Sequence, residues 1–349
     1  MKSRFALATT IVALGQGSAL ADTTINFFGD INYNVEKREV TTNSFQAATL
    51  DMFATQREGK FSFIGEVVIE AFGENEFGID VDRLEVTYQA RPWLRLSAGR
   101  IRSAFGYYGD AYQNGKFFMT PVSWPEMYEG DGFDGILPSH AIGLHADATY
   151  ELGNQNGKLR VDAEVLNGRG IALDVIPAFK DSNNAKAYNL RLRYVGQDAL
   201  DGLTVGGNVY LDEIPENAVA GEERPAMHEL ILAAHAAYVT NDVHLIGEVA
   251  WLRHREIGSD AQHTTLATFA EAGYAVSDFM PYVRYEYTQY SDVDPYFAAS
   301  GLESENHQLI TTGVKYTASA SVAMKVQGGL DIDSTRTDYL ATAQAAFAF

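Results

Sequence analysis

The sequence predicts an all-β protein: a closed antiparallel transmembrane β-barrel of about sixteen strands. Three observations predict it. Apolar and polar side chains alternate with a period of two in segment after segment, short and long connections alternate between those segments, and tyrosines recur just ahead of the short ones. Hydrophobic residues make up 46% of the chain and aromatic residues 12%, yet no stretch after the first residues approaches the ~18 consecutive apolar residues of a spanning helix.

Residues 1–21 read as an export signal. Lys2 and Arg4 give a positive start, Phe5 to Gly15 an apolar middle, and Ala19-Leu20-Ala21 a small-x-small cleavage site. The mature chain is expected to begin near Asp22 and to run as one barrel over 22–349. Cysteine is absent, which excludes disulfides and thiolate metal sites. The formal charge is −20, two units more negative once Lys2 and Arg4 are removed. Such a chain lacks the basic footprint that nucleic acid needs.

In the first segment Ile25, Phe27, Gly29, Ile31, Tyr33 and Val35 share one face. Thr24, Asn26, Asp30, Asn32 and Asn34 share the other, with Phe28 as the exception. The pattern recurs at 60–71, 158–167, 185–195 and 279–290, where Pro281 sits near a strand start and its missing donor is tolerated. A helical face cannot produce a two-residue period. The whole chain then reads as strands near 24–35, 45–55, 60–71, 79–89, 94–101, 141–152, 158–167, 185–195, 203–213, 227–239, 242–253, 264–276, 279–290, 307–317, 321–332 and 339–349. The second, tenth and twelfth alternate least cleanly.

Tight links fall at 56–60, 90–93, 153–157, 196–202, 240–242, 277–278 and 318–320, and are expected to be periplasmic turns. The longer polar segments between them, among them 102–140, 168–184, 214–226 and 291–306, would be extracellular loops. Tyr88, Tyr150, Tyr194, Tyr238, Tyr274 and Tyr316 stand within a few residues of the tight links, as an interfacial aromatic girdle would. Sixteen strands enclose more space than side chains can fill, so the apolar face is expected outside, on lipid, with water inside. Lipid forbids unpaired backbone groups, so the sheet must close.

The export signal, the sixteen strands, the long third loop and the closing run Ala343-Gln344-Ala345-Ala346-Phe347-Ala348-Phe349 together resemble the Gram-negative outer-membrane porins, over the whole mature chain. Gly99-Arg100-Ile101-Arg102 and the Gly- and aromatic-rich segment after it are similar to the entry into the third loop of porins, including the phosphate-selective kind. The resemblance implies a place in the outer membrane, contacts with its lipid and lipopolysaccharide, a homotrimer, and small hydrophilic solutes as cargo. It also implies that the barrel-assembly machinery recognises Phe347 and Phe349. Loop 102–140 would then fold into the pore as a constriction and present Glu126, Glu129, Asp131 and Asp134 to the lumen; the alternative is an external lid or trimer contact.

On the water-facing parity sit Arg83, Arg95, Arg160, Arg191 and Arg193, with Lys60, Arg284, Lys315 and Lys325 elsewhere around the wall. Guanidinium groups bind carboxylate and phosphate in bidentate fashion, so these residues would suit anionic solutes. Glu66, Glu70, Glu85, Asp147, Glu151, Asp162, Glu164, Glu248 and Glu286 share that parity, however, and mutual pairing is an equal expectation. Arg100 falls on the lipid-facing parity unless a bulge intervenes.

No Gly-x-Ser-x-Gly, His-Glu-x-x-His or phosphate-cradling loop is present. The eight histidines are scattered. His145 with Asp147, and His244 with Glu248, share a face but lack a matched serine. No enzyme, cofactor or metal site is expected. The function expected is passive diffusion of small hydrophilic solutes or ions. The alternatives are an anion- or organic-acid-selective channel using the Arg residues, and a non-conducting adhesin or surface receptor working through its loops.

Overall fold

The computed structural model describes residues 23–37, 41–72, 76–112, 115–130, 133–153, 157–171, 173, 181–219, 223–290, 293–299, 306–333 and 336–349. The export signal expected at 1–21 lies outside them. In chain order the strands are β1 (Thr23–Lys37), β2 (Thr41–Glu58), β3 (Phe61–Phe72), β4 (Glu76–Arg91), β5 (Leu94–Arg102), β6 (Glu129–Gly130), β7 (Phe133–Asp134), β8 (His140–Leu152), β9 (Gly157–Leu166) and β10 (Ala187–Gly196). There follow β11 (Leu203–Ile214), β12 (Met227–Val239), β13 (Val243–Glu256), β14 (Gln262–Tyr274), β15 (Phe279–Tyr290), β16 (His307–Ser319), β17 (Val322–Ile332) and β18 (Thr337–Ala348). Two short helices, α1 (Tyr108–Ala111) and α2 (Pro295–Ala299), lie in connections.

Sixteen of these strands form one closed barrel, and β6 with β7 forms a small separate ladder. Each barrel strand pairs antiparallel with its neighbour in sequence, β5 pairing directly with β8 across the long segment 103–139. The ring closes where β1 meets β18, from Phe28 opposite Ala348 to Lys37 opposite Tyr339. The Phe349 and Phe27 backbones exchange hydrogen bonds at the end of that seam. A Cβ on Gly29 would fall 2.5 Å from the Phe347 ring. That ring therefore covers the glycine directly opposite it, so the terminal aromatic run packs the seam.

The two-residue period decides which face is which. On β10, Tyr188, Leu190 and Leu192 are more than half exposed, whereas Asn189, Arg191 and Arg193 between them are 3%, 2% and 5% exposed. Around the wall the same outward parity carries Ile25, Phe77, Ile79, Val86, Leu144, Val283 and Val326, all exposed. Soluble monomers rarely expose contiguous apolar patches beyond a few hundred Å². This belt circles the molecule and is accounted for by lipid. Tyr88, Tyr150, Tyr238 and Tyr274 lie exposed on it near the short turns.

One irregularity bears on the lumen. The β3–β4 register shifts after Glu66 opposite Arg83, because β4 carries an extra residue, Asp82, before Val81 opposite Val67. Asp82 and Arg83 are consequently both buried. On β5, Gly99 takes φ +134°, and a Cβ there would lie 2.0 Å from the Leu84 carbonyl oxygen, so only glycine fits this close approach. Arg100, opposite Leu84, folds back to Asp80 at 2.9 Å and to the Asp82 carbonyl at 3.1 Å.

Candidate functional site in the barrel lumen

Segment 103–139 leaves the end of β5 and binds wall side chains along most of its course. The Ala104 N–H donates to Glu164 of β9, and the Ala104 carbonyl accepts from Asn189 of β10 at 3.1 Å. The Arg191 guanidinium donates to the Gly106 carbonyl at 3.0 Å. The Tyr107 and Tyr108 N–H groups both donate to one oxygen of Glu248 on β13, at 3.1 and 2.7 Å, and the Tyr128 hydroxyl donates to the other. Further along, Lys315 of β16 donates to the Phe117 carbonyl at 2.7 Å, and Lys325 of β17 to that of Pro121 at 2.7 Å. Arg284 of β15 donates to the Ser123 and Trp124 carbonyls at 2.8 and 3.0 Å. Strands as far apart around the ring as β9 and β17 face one another only across the interior.

Sequence exceptions acquire reasons here. Phe28, the one apolar residue on the polar face of β1, is 7% exposed and packs on Phe118, ring centroids 5.7 Å apart. Gly106 has φ +54°, and a Cβ there would strike both Glu248 and the Tyr128 hydroxyl at 1.9 Å. Tyr108, Tyr112, Trp124 and Tyr128 join Phe269 of β14 in an aromatic cluster. Burial, and then the Glu248 carboxylate beside it, push the Tyr128 hydroxyl far above its usual pKa. It therefore stays a donor.

On the other side of Tyr107–Ala111 a cavity of about 430 Å³ remains, walled by β3–β5 and β8–β11. Six arginines line it, Arg83, Arg95, Arg102, Arg160, Arg191 and Arg193, against the four carboxylates of Glu85, Asp110, Asp147 and Asp162, with His145 beside them. Pairing divides five of these arginines into two groups, Arg102 being held apart by Asp82. Arg191 lies 2.9 Å from Asp162 and 3.0 Å from Asp110, and Arg193 shares both carboxylates. Arg83 pairs with Glu66. These three side chains are at most 6% exposed. Arg95 and Arg160 instead share Asp147, at 2.8 and 2.9 Å, and their side chains are 48% and 30% exposed.

The expected strip is thereby narrowed. Arg83, Arg191 and Arg193 are brought together but are buried in ion pairs, and Arg284, fully buried against Glu286 and Glu271, lies apart from them behind the 103–139 segment. Of the expected acidic residues, Glu126 pairs with His307 of β16, and its N–H donates to Glu286 at 2.7 Å. Glu129 and Asp134 are opposed in the β6–β7 ladder, and Asp131 lies outside the described residues. His145 meets Asp162 at 3.2 Å rather than Asp147, and His244 meets Glu271 at 2.8 Å rather than Glu248.

Sequence reasoning missed Asp110, which faces the cavity from the segment itself. It also missed the group formed by Asp82, Arg102 and His140, in which Arg102 and His140 lie 2.7 and 2.8 Å from Asp82. The bulge at Asp82 reverses parity, and no alternation count reveals it. Toward the long-loop end a second buried group ties connections together: Arg169 to Glu229 at 3.1 Å, and His254 between Glu229 and Asp294 at 3.0 and 2.7 Å.

No protein-family model matches the sequence, and no curated protein matches it. Solved structures do match in fold. OmpF of Salmonella typhi, in complex with daunomycin, aligns with a TM-score of 0.65 at 14% identity, over 94% of this chain and 98% of that one. An anion-selective porin from Comamonas acidovorans aligns at 0.63 and 12%, over 94% and 100%. The outer membrane channel DcaP of Acinetobacter baumannii gives 0.63 and 12%, over 96% and 99%. Identities this low speak for the fold alone: the chain is a closed sixteen-stranded barrel built like those of outer-membrane porins.

Proposed function

We propose that this chain is exported to the Gram-negative outer membrane and works there as a porin, passing small hydrophilic solutes or ions down their gradients. The observation that carries this reading is a closed cylinder with an apolar belt outside and a charged, partly water-exposed cavity inside. Segment 103–139 is the constriction in this reading, since it fills the β13–β17 side of the lumen and leaves the arginine-lined side as the path. A barrel with an open, charge-lined interior calls for no reaction, so we read it as a channel rather than an enzyme. The assembly that the family resemblance suggests is a homotrimer. Reconstitution of the purified mature chain in planar bilayers tests this: stepwise conductance is expected, and silence in repeated insertions would favour a surface receptor acting through its loops.

Selectivity for anions is favoured by one observation: the most exposed arginines lining the cavity, Arg95 and Arg160, share the single carboxylate of Asp147. A local field of that sign lowers the cost of stripping water from an anion. Under a salt gradient the reversal potential is expected to take the anion-selective sign. The cation-selective sign would reject this second reading and leave the first intact.

A further inference from the structure

We infer that the outer wall at the long-loop end of β12–β14 binds the phosphate of an outer-leaflet lipid headgroup between Arg253 and Arg255. The inference rests on the outer-membrane reading and goes beyond it by assigning a site outside the pore. The outward positions of β13 run Leu245, Gly247, Val249, Trp251, Arg253, Arg255: aliphatic, then aromatic, then cationic. Their direction is fixed by the residues between them, since Leu252 and His254 are each 1% exposed on the inner side.

Height along the wall can be counted. Val243 pairs with Tyr274 of the lower aromatic band. Arg253 lies ten residues further up, which at ~3.4 Å per residue and a strand tilt of about 40° is ~26 Å. The apolar band of such barrels is about 25 Å tall. The first outward guanidinium therefore stands where hydrocarbon ends, with Trp251 just below it at the interface.

Neither arginine has an anionic partner among the described residues. The outward carboxylate of Glu213 faces His228 at 3.9 Å, and Glu256, on the other face, turns to Ser259 and His263 at 2.7 and 3.4 Å. The Arg253 Nε is buried against the wall with no hydrogen-bond partner. Other cations outside the lumen at the long-loop end are engaged: Lys37 lies over the Tyr339 ring at 5.7 Å, and Lys186 pairs with Asp181. Two guanidinium groups on one face, about 7 Å apart at their Cα atoms, can close on a single phosphate in bidentate fashion. Gln262 and His228, directly opposite Arg255 on the flanking strands, add polar flanks. The apolar wall below accepts the acyl chains of the same molecule.

The test is native mass spectrometry of the folded barrel in mild detergent, titrated with bis-phosphorylated lipid A, with the same lipid after phosphatase treatment, and with inorganic phosphate. Intact barrel is expected to retain the phosphorylated lipid, with at least tenfold weaker retention for the dephosphorylated one. The double variant R253Q/R255Q is expected to lose that preference, while R91Q, at a short turn on the opposite rim, keeps it. Equal retention by the double variant, or no preference for the phosphorylated lipid, would overturn the inference. Saturation by inorganic phosphate alone would replace the lipid with a free-anion site and overturn it as well. Conductance recorded on the same preparations separates this from the channel reading: steps without lipid preference sink only the lipid site.

Discussion

Arg95 and Arg191 show how burial sorts one residue type into two roles. Removing one partner of a buried ion pair leaves an uncompensated charge and costs about 3–5 kcal/mol, whereas an exposed pair is worth about 0–1 kcal/mol. Arg191, locked between Asp162 and Asp110, belongs to the first case. We predict that R191Q destabilises the barrel by about 3 kcal/mol in urea unfolding. The half-exposed Arg95 belongs to the second. R95Q, which leaves Arg160 paired with the buried Asp147, should unfold within about 1 kcal/mol of the parent protein, and R95Q/R160Q should move the reversal potential toward cations. An unchanged reversal potential in the double variant would remove these residues from selectivity. Strand parity placed Arg95, Arg160, Arg191 and Asp162 on the lumen side from sequence alone. It could not tell which would be buried, because that depends on Asp110 arriving from a segment with no period.

At the scale of elements, the fastening of 103–139 centres on Glu248, which accepts from two backbone N–H groups and one phenol. A hydrogen bond to a charged group contributes about 1.5–3 kcal/mol. Y128F is therefore expected to loosen the segment by that amount, seen as faster proteolysis between 103 and 139 and noisier conductance with the strands unchanged. Cleavage at the parental rate would show that the aromatic packing holds the segment without this bond. The connection holding α2 should respond to acid. Burial disfavours the charged Asp294 carboxyl, but the hydrogen bond and charge of His254 outweigh it and hold the pKa below its usual value. A carboxyl depressed in the folded state stabilises it fully above the unfolded value of about 4 and loses that contribution as pH falls through the folded one. Hydrogen exchange in 293–299 should therefore accelerate only below about pH 4, and D294N should show fast exchange already at pH 7. Strand ends in the structure agree with the sequence reading to within about four residues, because alternation and turn chemistry are local. The path of 103–139 was not legible, since its partners come from strands β9 to β17; only Phe28, out of place on a polar face, betrayed it.

Across the whole molecule the wall divides two surfaces, apolar side chains outward and charged ones inward. Closure of β1 on β18 leaves the barrel sheet without an open edge, and Phe347 covering Gly29 makes the last strand part of that seam. F349A, which leaves Phe347 and the backbone pairing in place, is expected to lower the yield of assembled barrel without altering the conductance of those that form. Cysteine is absent from the chain, so single cysteines can be introduced on a silent background. On β4 the consecutive residues Leu84, Glu85, Val86 and Thr87 alternate between the exposed outer belt and the lumen side. In lipid vesicles, E85C and T87C should react with a charged, membrane-impermeant maleimide, while L84C and V86C should react only after detergent is added. Labelling of all four at similar rates before detergent would contradict a wall with oil on one side and water on the other.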